Sequence, residues 1–376
     1  MMMPVRTHGS GLLHHQNTQF AVAGFAALLA LTALGMRPAQ EAASGKKTQV
    51  LAASPWVSVS DGVLKQLAVA GKEVGYPGGT AGVSVDRVTG DVNMIVADQG
   101  VWRRSLPGTT FARVDDGNIG GRCETGYALN ADPAGKRIAF FMLDGKSGIT
   151  LDNGHTWSAF QSHGRGWDFG VVDWSRILVR DVLAVHHESG GELYRSVDAG
   201  QNWQLLGKDF TAIGIFDLNA YVASKGDGIL RSADGGASWT KVSDLTPTGR
   251  TLCVFNGVGY WLTQEGLLTS KDRGKTWQKQ GSPLESAWGP FFGKDENEIA
   301  VVGRRGKEAG IWQTEDAGKT WKLVAPFPQL GANDHPDWTP SKQWAAGWFY
   351  NFGWDWKNNT FYASHMGNPT CAFKVK

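Results

Sequence analysis

The sequence predicts an all-β chain folded as a seven-bladed β-propeller, and three observations carry that prediction. An octapeptide of the form Ser/Thr-x-Asp-x-Gly-x-Thr/Asn/Ser-Trp recurs at 150–157, 196–203, 232–239, 270–277 and 314–321. Its closing tryptophans stand 46, 36, 38 and 44 residues apart, the length of one four-stranded propeller blade. Of the 376 residues, 50 are Gly and 17 are Trp, while only 19 % are charged. A helical bundle or coiled coil would instead be rich in Ala, Glu, Lys and Leu and poor in Gly. Disorder is excluded as well, because 41 % apolar and 11 % aromatic residues are enough to build a large core.

The chain opens with a segment set apart from the fold. Phe20 to Met36 is an uncharged apolar run preceded by Arg6 and followed by Arg37 and Pro38. That is the pattern of a secretory signal peptide or an uncleaved signal anchor, so 1–36 is read as the export segment. Ala33-Leu34-Gly35 and Ala42-Ala43-Ser44 both fit small-x-small cleavage rules. Residues 37–53 read as a flexible lead-in, and 54–376 as a single propeller that is secreted or periplasmic.

Each octapeptide reads as a hairpin turn. Its Asp carboxylate accepts turn amides, its Gly takes a positive φ, and its Trp packs between adjacent sheets. A decayed copy, SLPGTTF, occupies 105–111. Around each box the chain alternates as strands do. AYVASKG (220–226), GILRSAD (228–234) and SWTKVSD (238–244) read as strands B, C and D behind an inner strand A at 211–217. The same four-part reading fits 82–114, 125–160, 167–206, 251–280 and 288–324. The last blade lacks a D strand after CAFKVK (371–376), and SPWVSVSD (54–61) is expected to supply it, because closure removes exposed edges. The D-strand aromatics would then be Trp56, Phe111, Trp157, Trp203, Trp239, Trp277 and Trp321.

The octapeptide resembles the Asp-box of bacterial neuraminidase repeats, shared by sialidases, xyloglucanases, sortilin-type receptors and the photosystem II assembly factor. The resemblance covers roughly 54–376 and implies a β-propeller whose boxes lie in C-to-D turns, away from the usual ligand end. It implies a structural role for Asp152, Asp198, Asp234, Asp272 and Asp316. Sialidase chemistry is not expected, since the Arg-Ile-Pro motif of that family is absent and YPGGTAGVSVDRV (76–88) has no Arg before its inner strand. Xyloglucanases of this repeat class pair two propellers, for which the chain is too short. The chain is most similar to exported bacterial Asp-box proteins of unassigned activity.

Ligands of such propellers bind where D-to-A and B-to-C loops converge. These loops offer Arg165, Asp168, His187, Glu188 and Arg304 as catalytic candidates around one axial pocket, with Arg122, Glu124, Trp288, Arg305, His335 and His365 as ligand-binding candidates. Arginine forks suit carboxylate or sulfate, aromatic faces suit sugar rings, and His or an acid moves protons. His186 and His187 are neighbours at a strand end, so at most one can face the axis. A lyase would use His187 or His365 as base with Arg165 or Arg304 on the uronate. A hydrolase would use Asp168 and Glu188.

Two functions follow: action on an extracellular, acidic glycan as a hydrolase or lyase, or a non-catalytic binding or assembly role in the cell envelope. Partners are therefore a carbohydrate or an envelope protein. No nucleic-acid footprint shows in a net charge of +2, and no membrane contact is expected beyond the N-terminal segment. Cys123, Cys253 and Cys371 lack metal-ligand spacing, so neither metal nor cofactor is expected, and Cys253 reads as a buried free thiol. The chain reads as a monomer.

Overall fold

A computed structural model describes residues 56–75, 79–115, 117–122, 129–164, 166–176, 178, 181–327, 351–364 and 369–376. Residues 1–53, which include the expected export segment and lead-in, and Glu124, Arg165, His335 and His365 lie outside these residues. Seven four-stranded antiparallel sheets form the blades of a seven-bladed β-propeller. The inner strands A are Thr80–Val85, Leu129–Ala131, Trp167–Val172, Ala212–Asp217, Cys253–Phe255, Glu285–Phe292 and Asn351–Asp355.

Burial explains the strand composition. The B strands Val92–Val96, Ala220–Ser224 and Thr360–Ser364 are buried at every position, because each blade is covered on both faces by its neighbours. The outer strands Gln204–Gly207 and Thr240–Ser243 have no fully buried residue. Close blade packing also selects glycine where a neighbour intrudes. A Cβ on Gly170 would sit 2.2 Å from the Phe141 ring of the preceding blade.

The octapeptide turns share one hydrogen-bond pattern. In the third repeat the Ser232 hydroxyl donates to Asp234 Oδ1 and accepts the Gly236 N–H, both at 2.8 Å. Asp234 then accepts the Ser238 N–H at 3.0 Å and its hydroxyl at 2.6 Å. Asp152, Asp198, Asp272 and Asp316 repeat the arrangement with Thr156, Asn202, Thr276 and Thr320. Two successive residues take positive φ in every copy, as at Ala199 (56°) and Gly200 (84°). The opening hydroxyl is buried and the carboxylate is not: Ser196 and Ser232 are each 1 % exposed, whereas Asp234 is exposed.

The box tryptophans bridge blades. Trp203 of blade 3 meets Phe160 of blade 2 at 5.9 Å, and Trp277 of blade 5 meets Phe216 of blade 4 at 6.1 Å. Trp56 packs between Phe327 of blade 6 and Phe373 of blade 7, and its indole N–H donates to Pro326 O at 3.1 Å.

Two features depart from expectation. The strand expected over 54–61 is confined to Val57–Ser58, which pairs with strand Cys371–Lys374 of the seventh sheet. From Asp61 to Val69 the chain is helical (α1) and buries Val63 and Leu67, one turn apart, against the first blade. Arg122, expected in a D-to-A loop, instead lies in a strand, Gly120–Arg122, laddered to Asp144–Lys146.

Candidate functional site

The D-to-A and B-to-C end of blade 3 brings three expected residues together. Asp168 is the extra residue of a bulge in strand A, where the register shifts between Trp167 and Phe169. Such a bulge re-aims a side chain. Strand B (Val182–His186) ends one residue before His187, whose N–H donates to Gly166 O at 3.0 Å. His187 Nδ1 then stands 2.5 Å from Asp168 Oδ1. Its Nε2 is 3.6 Å from Glu188 Oε1. The imidazole is 10 % exposed, whereas the Glu188 side chain is 58 % exposed and Glu188 itself turns the chain with φ 48°.

The short Asp168 contact fixes the ring orientation, with Nδ1 toward Asp168 and Nε2 toward the exposed Glu188. A carboxylate, an imidazole and a second, accessible carboxylate in series can hold a proton and hand it on.

His186 turns the other way. Its ring lies 5.5 Å from His163, 5.9 Å from Trp167 and 6.0 Å from Tyr194, in an aromatic cluster beside Glu192. Burial, then the neighbouring His186, lowers the His163 pKa from its ordinary value.

The remaining candidates occupy other positions. Arg304 and Arg305 lie within strand B of blade 6 (Ile299–Arg305), where a loop was expected. Arg304 is held bidentately by Glu285 of the paired strand A, at 2.8–3.1 Å. Arg305 stacks on Trp312 at 5.1 Å and donates to Pro283 O at 3.2 Å. Trp288 stands inside strand A of blade 6, 8 % exposed, rather than at its start. Arg122 pairs through its backbone with Asp144.

A cavity of about 870 Å³ occupies the propeller axis, at the opposite end from His187. It is lined by inner strands and A-to-B turns: Val83, Val171, Ile215, Trp288, Phe291 and Phe352 form walls, and Arg87, Asp132, Asp217, Arg273 and Lys294 rim it. A-to-B turns share their end of the blade with the C-to-D octapeptide turns, so this cavity lies on the box side. The expectation of a single axial pocket at the loop end did not include it. The aromatic inner-strand runs WGPFF (288–292) and NFGWDW (351–356) are the sequence signal that could have found it.

Arg87 reaches across the rim from blade 1. Its Nε donates to Phe292 O at 3.1 Å, and its Nη2 to Gly293 O and to Lys294 O, the last at 2.9 Å. Its guanidinium lies 4.8 Å from the Phe255 ring centroid of blade 5. Burial lowers the Arg87 pKa, opposed by Asp295 and Glu298.

Cys253 lines the same cavity as a free, half-buried thiol, pushed by burial to about 12. Cys371 is also free, and Cys123 lies outside the described residues.

No protein-family profile matches the sequence, and no curated protein does. Solved structures share the fold. The chain is similar to the GH74 enzyme of Niastella koreensis, with 17 % identity and a TM-score of 0.53, over 79 % of this chain and 43 % of that one. It is similar also to the GH74 xyloglucanase of Xanthomonas campestris, with 17 % identity, a TM-score of 0.48, and coverage of 85 % and 54 %. YCF48 bound to a D1 peptide gives 14 % identity, a TM-score of 0.47, and coverage of 87 % and 99 %. The chain spans about half the length of the GH74 enzymes it matches.

Proposed function

We propose that this chain is an exported Asp-box propeller acting on an extracellular glycan through acid–base chemistry at the end of blade 3. The observation that carries the reading is the 2.5 Å contact between Asp168 and His187, beside the exposed Glu188. In this reading His187 is the catalytic acid–base group and Asp168 its positioning residue. Glu188 exchanges the proton with substrate or water. The Arg304 fork, engaged by Glu285, no longer supports an anion-holding role, so the preference for an acidic glycan rests on the substrate screen. The fold likeness to the Niastella koreensis GH74 enzyme is compatible with action on a glycan.

The test is the release of reducing ends and unsaturated uronates from a panel of neutral and acidic polysaccharides by the purified protein. Product that His187→Ala abolishes supports the reading, and uronate absorbance separates a lyase from a hydrolase.

A second reading is a non-catalytic binding or assembly propeller of the envelope. It is favoured by the internal compensation of Arg304 by Glu285 and of His187 by Asp168, the mark of structural ion pairs. Glycan or protein binding without turnover, retained in His187→Ala, would establish it.

A further inference from the structure

The axial cavity uses none of the residues of the blade 3 cluster. Its volume, about 870 Å³, falls in the range of pockets that enclose small organic ligands. Val171, Ile215, Trp288 and Phe352 give it walls that favour an apolar or aromatic body. The rim is different. Asp217 is paired with Arg273, and Asp132 with Arg137, so those charges cancel.

Arg87 and Lys294 make no ion pair among the described residues. The acids near them, Asp295 and Glu298, accept the backbone N–H groups of Asn297 and Lys294 and act on Arg87 through space without a salt bridge to it. The three Arg87 bonds all go to backbone carbonyls through Nε and Nη2, which leaves Nη1 without a hydrogen bond to the described residues. A partly desolvated guanidinium with an open donor, next to an exposed lysine, is complementary to one anionic head group.

We propose that the axial cavity binds an amphiphilic organic anion, with its apolar body among the inner strands and its carboxylate against Arg87 and Lys294. The site is independent of glycan processing and lies at the other end of the propeller.

Decanoate and 1-decanol, which share a chain and differ in the head group, are the probes. Binding is read by calorimetry and by fluorescence of the lining tryptophans. Decanoate is expected to bind at least about tenfold more tightly than 1-decanol, the size of one charge-assisted contact. Lys294→Gln, at an exposed position, and Arg87→Gln should each remove most of that difference and leave 1-decanol unchanged. Val171→Trp, which fills the cavity, should abolish both, while His187→Ala should leave both intact.

Equal binding of acid and alcohol, decanoate binding that survives Val171→Trp in a folded protein, or no decanoate binding at millimolar concentration would overturn the proposal. Lys294→Gln keeps the test open if Arg87→Gln fails to fold.

Discussion

The Tyr221 hydroxyl of blade 4 donates to the Asp181 carboxylate of blade 3 at 2.5 Å, where both residues are at most 2 % exposed. Arg195 of blade 3 completes the pin, donating to Asp181 Oδ1 at 2.8 Å and to Gly235 O in the octapeptide turn of blade 4 at 3.1 Å. Burial, then the Asp181 contact, raises the Tyr221 pKa well above its ordinary value, which keeps the phenol a donor.

Tyr221→Phe should destabilise the protein by about 1.5–3 kcal/mol, the range for a hydrogen bond to a charged group. Asp181 keeps Arg195, so the fold should survive. Tyr194→Phe, at a half-buried phenol 3.3 Å from Glu192, should cost less. The comparison is read from urea midpoints at unchanged slope. Equal losses in the two variants would show that the inter-blade pin is not special.

The octapeptide turns give a second contrast. Ser232→Ala leaves the buried Gly236 N–H without its acceptor and should cost about 1–3 kcal/mol. Asp234→Ala removes an exposed carboxylate and should cost less, with any ligand binding retained. Chemical denaturation of both variants would decide it, and a larger loss for Asp234→Ala would contradict the burial argument.

The same turns should make stability pH-dependent. The side chains of Asn202 and Ser238 hold Asp198 and Asp234 at about 2, and the Thr320 amide holds Asp316 there. Asp272 is also at about 2, since the Thr276 and Ser270 bonds outweigh its burial. An unfolded chain takes up these protons near pH 4, before the folded one does. The stabilisation is therefore complete above about pH 4 and is lost as pH falls toward 2. Melting in an acid series should fall through that window. Asp-to-Asn changes at the four turns should flatten it, and an unaltered acid limb would place the loss in other carboxylates.

These turns were legible because each is encoded within eight residues: the Ser or Thr, the Asp and the Gly that bond one another are neighbours in sequence. The blade 3 cluster was legible in part. His187 and Glu188 are adjacent, but whether His186 or His187 joins Asp168 depends on the one-residue bulge at Asp168, which pattern alone does not reveal. The Arg304–Glu285 pair was not legible, because it is set by strand register between residues 19 apart in sequence. The helix at Asp61–Val69 has only two buried positions to mark its period. The axial cavity is assembled from separate inner strands, so no local motif announces it.

If blade 3 carries acid–base chemistry, His187→Ala should lower kcat by about 10²–10⁴-fold. Asp168→Asn retains the shape of the contact but can accept or donate at Nδ1, so the imidazole loses its fixed orientation. The expected result is a reduced kcat with KM and melting temperature unchanged, the split that separates positioning from folding. Glu285→Gln, in blade 6, should leave kcat unaffected. A fall in melting that accounts for the lost activity of Asp168→Asn would reduce the pair to a structural contact.

The last prediction concerns the fourth strand of the seventh sheet. We expect Val57–Ser58 to hold the ring closed, although it contributes only two backbone positions, Val57 opposite Ala372 and Ser58 opposite Cys371. So short a ladder is weak by itself, and the anchor is the side chain beside it. Trp56 is 7 % exposed, packed 5.2 Å from the Phe373 ring and hydrogen-bonded to Pro326 O of blade 6. Trp56→Ala should therefore cost about 3–5 kcal/mol, as large-to-small changes of buried aromatics do. Deleting 54–61 should go further, because strand Cys371–Lys374 becomes an unpaired edge open to other chains. The deletion variant is expected to elute as aggregates and to melt earlier, while Val57→Ala, at a residue 64 % exposed, elutes with the parent and has nearly wild-type melting. A deletion variant that elutes and melts with the parent would show that the ring holds without its N-terminal strand.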